Sequence, residues 1–169
     1  MDILVLCIDR DNDLGRKGGV ESPVVGREAN IDAALKLGMA DPEDSDVNTI
    51  FGGIKLLDEL IASGKSAEIA SLAGDIKLGL VSDSKLSSQL DSLLAQLHPN
   101  GVIVVSDGAE DEAILPIIQS RVRVDGVRRI LVKQSPNLES TYYLLKQVFT
   151  DPKISHTVFI PPALALLMF

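Results

Sequence analysis

The sequence has no tryptophan, and aromatic residues of any kind fill only 4% of its 169 positions. A core must therefore be assembled from Leu, Ile, Val and Ala. Cysteine occurs once, at Cys7, so no disulfide can close within the chain, which suits a reducing compartment. Cys7 lies inside an apolar run and reads as a small buried thiol. His98 and His156 stand in no ligand spacing and read as incidental. Basic residues number 16 against 24 acidic ones, for a formal net charge of −8 and a pI near 4.7. That deficit excludes a general nucleic-acid surface, which needs concentrated Lys and Arg, but leaves room for a cation bridging carboxylates to a phosphate. The opening run Ile3–Ile8 is too short for a secretory signal, lacks a basic start and leads into charge.

What is present fits one globular domain. Hydrophobic residues make up 46% and the mean hydropathy is +0.22, which argues against disorder. A chain of this length buries roughly 70% of its unfolded surface.

The order of elements is legible from periodicity. Residues 2–8 read as a strand buried on both faces. A Gly-rich connection, "LGRKGGVESPVVG", follows. "REANIDAALKLGMA" is a helix with Ile31, Ala34, Leu35, Gly38 and Met39 on its apolar face. "DPEDSD" is a loop in which Ser45 and Asp46 are N-cap candidates. Val47, Ile50, Phe51, Ile54, Leu57 and Ile61 then recur at helical spacing, with Ser63-Gly64 as the stop. "AEIASLAGD" is a strand, and "SDSKLSSQLDSLLAQLHP" an amphipathic helix with Leu86, Leu90, Leu93, Leu94 and Leu97 in line. "GVIVVSDG" is the strongest strand, and "AEDEAILPIIQS" a short helix disturbed by Pro116. "VRRILVKQS" is a further strand, preceded by an edge piece in "RVRV", and Asn137 caps "LESTYYLLKQVF". This alternation predicts an α/β domain: a three-layer, Rossmann-like or flavodoxin-like, mostly parallel sheet with helices on both faces. The domain is expected over residues 1–157, with an apolar tail over 158–169.

In open parallel sheets ligands sit beyond the carboxyl ends of the strands. The first strand leads into Asp9, Asp11 and Asp13, the second into Gly74-Asp75, the third into Ser106, Asp107, Asp111 and Glu112, and the fourth into Lys133, Gln134 and Ser135. Such carboxylates repel one another unless a proton or cation relieves them, and hard oxygen ligands suit Mg²⁺. Asp9, Asp11, Asp107 and Asp111 are the candidate metal ligands. Lys133 is positioned to stabilise charge on a phosphoryl group or to pair with Asp107 or Asp9. Asp13 reads as a turn residue or a support for its neighbours.

Other stretches are less specific. Arg16, Lys17 and Gly18 in "GRKGG" offer cations and backbone amides to a phosphate or form a turn, without a Walker or dinucleotide pattern. Arg27 and Glu28 open a helix whose N-terminus would face an anion, though Glu28 there is also favourable helix electrostatics. "DPEDSDVN" departs from a calcium loop in lacking the Gly and terminal Glu, and its expected role is capping.

The spaced aspartates of "IDRDND" resemble the first motif of haloacid-dehalogenase-type phosphohydrolases. That resemblance would make Asp9 a nucleophile and Asp11 an acid/base. "VVSDGAED" resembles the same superfamily's late metal motif, at Asp107 and Asp111. Its lysine precedes that acidic motif, whereas Lys133 follows it. A resemblance over the whole chain is carried by "LCIDRDNDLGRK", "GREAN", "ADPEDSDVN", "VSDGAEDEAILPIIQSR" and "VKQSPNLESTYYLLK". These blocks resemble the archaeal family called domain of unknown function 373. That resemblance implies a soluble amino-terminal domain on the cytosolic side, followed by several membrane-spanning helices. The apolar run Ile160–Phe169 is about half the roughly 20 residues of a bilayer span, and is then expected to begin a membrane segment rather than dock in the core.

Three functions fit this reading. One is Mg²⁺-dependent phosphoryl transfer or phosphoester hydrolysis, with Asp9, Asp11 and Lys133 as the catalytic residues and a phosphate-containing small molecule as substrate. A second is a sensor that binds a nucleotide, phosphate or cation and signals to a membrane portion. The third is a module that oligomerises through its leucine-rich helices.

Overall fold

The computed structural model describes residues 1–131, which lie within one structural unit, Met1–Val132. Strand β1 is Ile3–Asp9, and every one of its residues is buried. The connection after it contains a four-residue helix α1 (Asp13–Arg16) and a two-residue strand β2 (Val24–Val25). Helices α2 (Arg27–Ala40) and α3 (Ser45–Ala62) pack against each other, then β3 (Ala67–Ala73) and α4 (Leu80–Leu97) follow. Strand β4 (Gly101–Ser106), the short helices α5 (Ala109–Glu112) and α6 (Leu115–Gln119), and β5 (Val124–Arg129) complete the described residues.

The five strands form one sheet in the order β2-β3-β1-β4-β5. β3, β1, β4 and β5 run parallel, and only the edge strand β2 is antiparallel. Alternate residues of a strand point to opposite faces, and β1 divides accordingly. Val5 and Cys7 join an apolar cluster with Ala33, Leu37, Ile50, Ile54 and Leu57 from α2 and α3. Leu4, Leu6 and Ile8 join another with Leu86, Leu90 and Leu93 from α4 and Ile118 from α6. The leucines of α4 recur at i, i+4 and i+7, so its apolar stripe is spent inside the domain. Gly53 brings α3 against the sheet, because a Cβ there would overlap the Cys7 sulfur.

Several expectations need correction. Leu35 and Met39 are 55% and 85% exposed, and α2 instead buries Asn30, Ala33, Ala34 and Leu37. The reason is polar. Asn30 donates to the carbonyls of Val24 (3.1 Å) and Gly26 (2.8 Å) and accepts from the Ser71 hydroxyl (2.6 Å), which sets the helix's rotation against β2 and β3. Phe51 and Ile61 of α3 are likewise part-exposed, at 41% and 51%. Strand β5 lies earlier than "VRRILVKQS" predicts. Val124 pairs with Val102 and Gly126 with Ile103, so Asp125 is a bulge inside the strand. Pro116 sits in the first turn of α6, where it separates α6 from α5. His98 closes α4 in the left-handed conformation, at φ 49°. Lys133, Gln134 and Ser135, the helix capped by Asn137, His156 and the apolar tail lie outside the described residues. Among the described residues, no helix is long and apolar enough to cross a membrane.

Candidate metal centre

After β1 the chain moves to β3 on one side, then crosses to β4 on the other. The crevice between the carboxyl ends of β1 and β4 is thus the switch point of the sheet, where α/β proteins place ligands. Asp9 ends β1 with 3% of its surface exposed. Its Oδ1 accepts the backbone N–H of Asp13 at 3.0 Å and its Oδ2 that of Leu14 at 2.8 Å. The carboxylate therefore organises the loop that follows it. Asp107 comes directly after β4, and Asp111 lies in α5 with Oδ1 accepting from the Arg10 amide at 3.3 Å.

The third contribution comes from α3. Asp44 is its N-cap, with the side chain accepting the Asp46 N–H at 2.9 Å, so neither Ser45 nor Asp46 is the cap. Ser45 instead donates its hydroxyl to Asp107. Asp46, 7% exposed, reaches the crevice. There it belongs to three groups of carboxylates with ligand atoms within 4.8 Å of one another: Asp9–Asp11–Asp46, Asp46–Asp107–Asp111, and Asp13–Asp44–Asp46. Arg10, Asp11, Asp13, Ser45, Asp107 and Asp111 are among the residues around the resulting cavity of about 120 Å³. The Arg10 guanidinium pairs with Asp83 at 2.9 Å.

So much buried negative charge distorts the titration of its members. Burial, then repulsion from Asp9, Asp111, Asp44 and Asp107, pushes Asp46 up to about 10. Burial raises Asp9 to about 7 despite the two amides that favour its charged form. Asp111 rises to about 8 through burial and its contact with Asp107. The Asp111 Oδ2 is buried without a hydrogen-bond partner among the described residues. An unpaired buried carboxylate oxygen among other carboxylates fits a cation, and an all-oxygen donor set fits a hard one such as Mg²⁺.

Asp9, Asp11, Asp107 and Asp111 are thus together, as strand-end residues of a parallel sheet should be. The other described candidates are engaged by partners of their own. Lys17 Nζ sits between Asp13 (2.7 Å), Asp44 (2.8 Å) and Asp41 (2.8 Å), so three carboxylates already engage it. Arg16 pairs with Asp13 at 3.0 Å, and Gly18 packs so closely that a Cβ would meet the Leu14 carbonyl oxygen at 2.8 Å. Arg27 pairs with Glu28 and with Asp58 of α3, each at 2.9 Å. Asp58 follows Asp46 by twelve positions, about 18 Å along the helix, so the start of α2 is remote from the crevice. Asp75 caps its own turn, accepting from Lys77 N at 3.0 Å, and Glu112 pairs with Arg129 at 2.6 Å and accepts from Ser106 at 3.1 Å. Asp44 and Asp46 were hidden in a loop whose chemistry looks like capping. The remaining signal was three carboxylates, Asp41, Asp44 and Asp46, in one short connection.

An uncharacterised protein of Archaeoglobus fulgidus is 50% identical over 166 residues, covering 98% of this chain and 48% of its own length. An uncharacterised protein of Methanocaldococcus jannaschii is 49% identical over 145 residues, covering 85% of this chain and 40% of its own. The chain thus spans about half the length of the curated relatives it matches, or somewhat less. No solved structure matches it. Residues 2–169 match the family described as domain of unknown function 373, and the chain belongs to that family.

Proposed function

We propose that the domain binds a divalent cation, Mg²⁺ by its donor chemistry, and acts with it on a phosphate-containing small molecule by phosphoryl transfer or phosphoester hydrolysis. The observation that carries this reading is Asp46, a buried carboxylate within ligand distance of both the strand-β1 pair Asp9–Asp11 and the post-β4 pair Asp107–Asp111. These five residues would hold the cation. A bound Mg²⁺ supplies a Lewis acid toward a phosphoryl oxygen and lowers the pKa of a coordinated water. Asp9, with both oxygens held by backbone amides, is suited to be a fixed ligand rather than a nucleophile that must approach phosphorus. Asp11, less buried, is the better acid/base candidate. The remainder of a substrate would lie in the open cleft of about 510 Å³ beside the crevice, lined by Asn12, Arg16, Glu21 and Lys85.

The strand order supports a three-layer, flavodoxin-like arrangement as the frame of this site. The shared length with longer relatives is compatible with a cytosolic domain joined to a membrane portion. The burial of Leu86, Leu90 and Leu93 disfavours oligomerisation through α4.

A second reading is a cation or phosphate sensor without turnover. It is favoured by the size of the acidic cavity, about 120 Å³, which admits an ion and its waters or a phosphate group but not a whole organic ligand. The test is phosphate release from p-nitrophenyl phosphate and from nucleotides by chelator-stripped protein, with and without Mg²⁺ or Mn²⁺, for wild type and Asp46→Asn. Cation-dependent release lost in the variant supports the enzyme. A cation-dependent thermal shift without release supports the sensor. No shift with any divalent cation removes both.

A further inference from the structure

We propose that the crevice is a two-cation centre in which the Asp46 carboxylate bridges the ions. This deepens the reading of a divalent-cation site and rests on it. The two groups that flank Asp46 share no other member: one is completed by Asp9 and Asp11, the other by Asp107 and Asp111. They also come from different parts of the fold, one from the end of β1 and the other from the segment after β4, with Asp46 entering between them from the first turn of α3. A single ion at one group would use Asp46 and one pair and leave the opposite pair without an ion of its own.

The third group, Asp13–Asp44–Asp46, shows how this protein answers three converging carboxylates. Lys17 places its ammonium 2.7 Å from Asp13 and 2.8 Å from Asp44. The cation requirement there is met by the chain itself. Toward the crevice the independent sign of a missing ligand is Asp111, 6% exposed, whose Oδ2 is buried at the cavity with no hydrogen-bond partner among the described residues. Its other oxygen is held by the Arg10 amide at 3.3 Å, which fixes the carboxylate. Asp9 is fixed in the same manner by two amides, and each of its oxygens retains a lone pair for an ion. A carboxylate with two oxygens can ligate two ions about 3.5–4 Å apart, the separation at which paired cations hold the attacking and leaving oxygens of a phosphoryl group. With three carboxylates per ion and waters completing each sphere, both positions suit Mg²⁺ or Mn²⁺.

The test is titration of the chelator-stripped chain with Mn²⁺, by calorimetry for stoichiometry and by electron paramagnetic resonance for coupling between the ions. The expected result is two equivalents bound and a spin-coupled spectrum. Asp11→Asn and Asp107→Asn should each reduce binding to one equivalent with an uncoupled spectrum, and Asp46→Asn should abolish coupling. One equivalent in wild type overturns the two-cation proposal and leaves the mononuclear reading standing. No binding overturns both. Two equivalents without coupling overturn the bridge. The wild-type stoichiometry and spectrum decide the matter even if a variant fails to fold.

Discussion

The Asp44 carboxylate accepts the backbone N–H of Asp46 at 2.9 Å, and this bond determines what Asp46 is free to do. With Asp44 satisfying an amide that has no intrahelical partner at the start of α3, Asp46 need not cap the helix. Its side chain is turned to the crevice, where it meets four other carboxylates whose charges oppose its own ionisation. The same short stretch therefore supplies one aspartate that caps the helix and another that faces the crevice, two residues apart.

Replacing Asp46 by Asn should separate stability from binding. The amide keeps the volume but removes the need to take up a proton, which burial and the neighbouring Asp9, Asp111 and Asp107 impose on Asp46 near neutral pH. In chelator, Asp46→Asn is expected to be more stable than wild type by about 1–3 kcal/mol, the equivalent of relieving one or two pKa units. In Mg²⁺ the order should reverse, because wild type gains binding energy that the variant has lost. Urea denaturation in both buffers checks it. A variant that is less stable in chelator would show that Asp46 is held by partners rather than strained by neighbours.

The fold and the site were legible to different depths. β1 and β4 announce themselves by continuous β-branched and leucine-rich runs, and both are almost wholly buried. The rule that parallel strands deliver ligands at their carboxyl ends then leads to Asp9, Asp11, Asp107 and Asp111. Asp46 escapes that rule because it enters from the beginning of a helix, and an aspartate before a helix has the same local pattern whether it caps or ligates. The buried face of α2 was misplaced for a related reason. Periodicity weighs Leu35 and Met39 above Asn30, yet the three hydrogen bonds of Asn30 orient the helix. The bulge at Asp125, which shifts β5, has no signature in a single strand because it exists only in the pairing with β4.

The pH dependence of the metal-free protein should run against the usual behaviour of salt-bridged carboxylates. Asp9 and Asp111 have folded-state values of about 7 and about 8, above the ordinary 3.8 expected of the unfolded chain. Between these limits the folded state binds more protons than the unfolded state, so stability falls as pH rises. Their contribution is fully present below about pH 4 and is lost as pH passes through 7 and 8. Denaturation in chelator at pH 5 and pH 8 should therefore show the lower midpoint at pH 8. Saturating Mg²⁺ should flatten or invert that difference, since the ion competes with protons for the same oxygens. Equal midpoints in chelator would mean that another cation already neutralises the cluster.

Lys17 should matter for stability more than an exposed lysine normally does. Its ammonium is 2.8 Å from Asp44, whose side chain is only 2% exposed. Lys17→Met keeps much of the stem but leaves that carboxylate without its counter-ion. The expected loss is about 1–3 kcal/mol, the usual cost of stranding a buried polar group. Lys17→Arg should recover only part of it, because a planar guanidinium cannot sit among three carboxylates as a compact ammonium does. A melting temperature unchanged in Lys17→Met would show that the pairing is dispensable.

Asn30→Leu tests whether the polar anchor or apolar content seats α2. Leucine fits the hydrophobic cluster by type, but it strands the Ser71 hydroxyl and removes the side-chain donor to Val24, while the Gly26 carbonyl keeps the backbone N–H of residue 30. A destabilisation of about 2–4 kcal/mol is expected, one to two unsatisfied buried groups at about 1–3 kcal/mol each. If the variant is as stable as wild type, packing alone sets the position of the helix.

Cys7 offers a probe of the sheet that does not depend on any ligand. Its side chain lies at the centre of β1, 1% exposed, beneath α3 at the point where Gly53 allows the closest approach. Burial pushes the thiol up to about 12, so almost none is thiolate near neutral pH. Alkylation of the native protein at pH 8 should therefore be limited by opening of the β1–α3 contact rather than by reagent concentration. The rate should rise with urea in parallel with unfolding and slow when Mg²⁺ stabilises the fold. Gly53→Ala, which forces α3 away from the sulfur, should accelerate modification well before the unfolding midpoint. Rapid labelling of the wild-type thiol in native buffer would contradict the packing of α3 on β1.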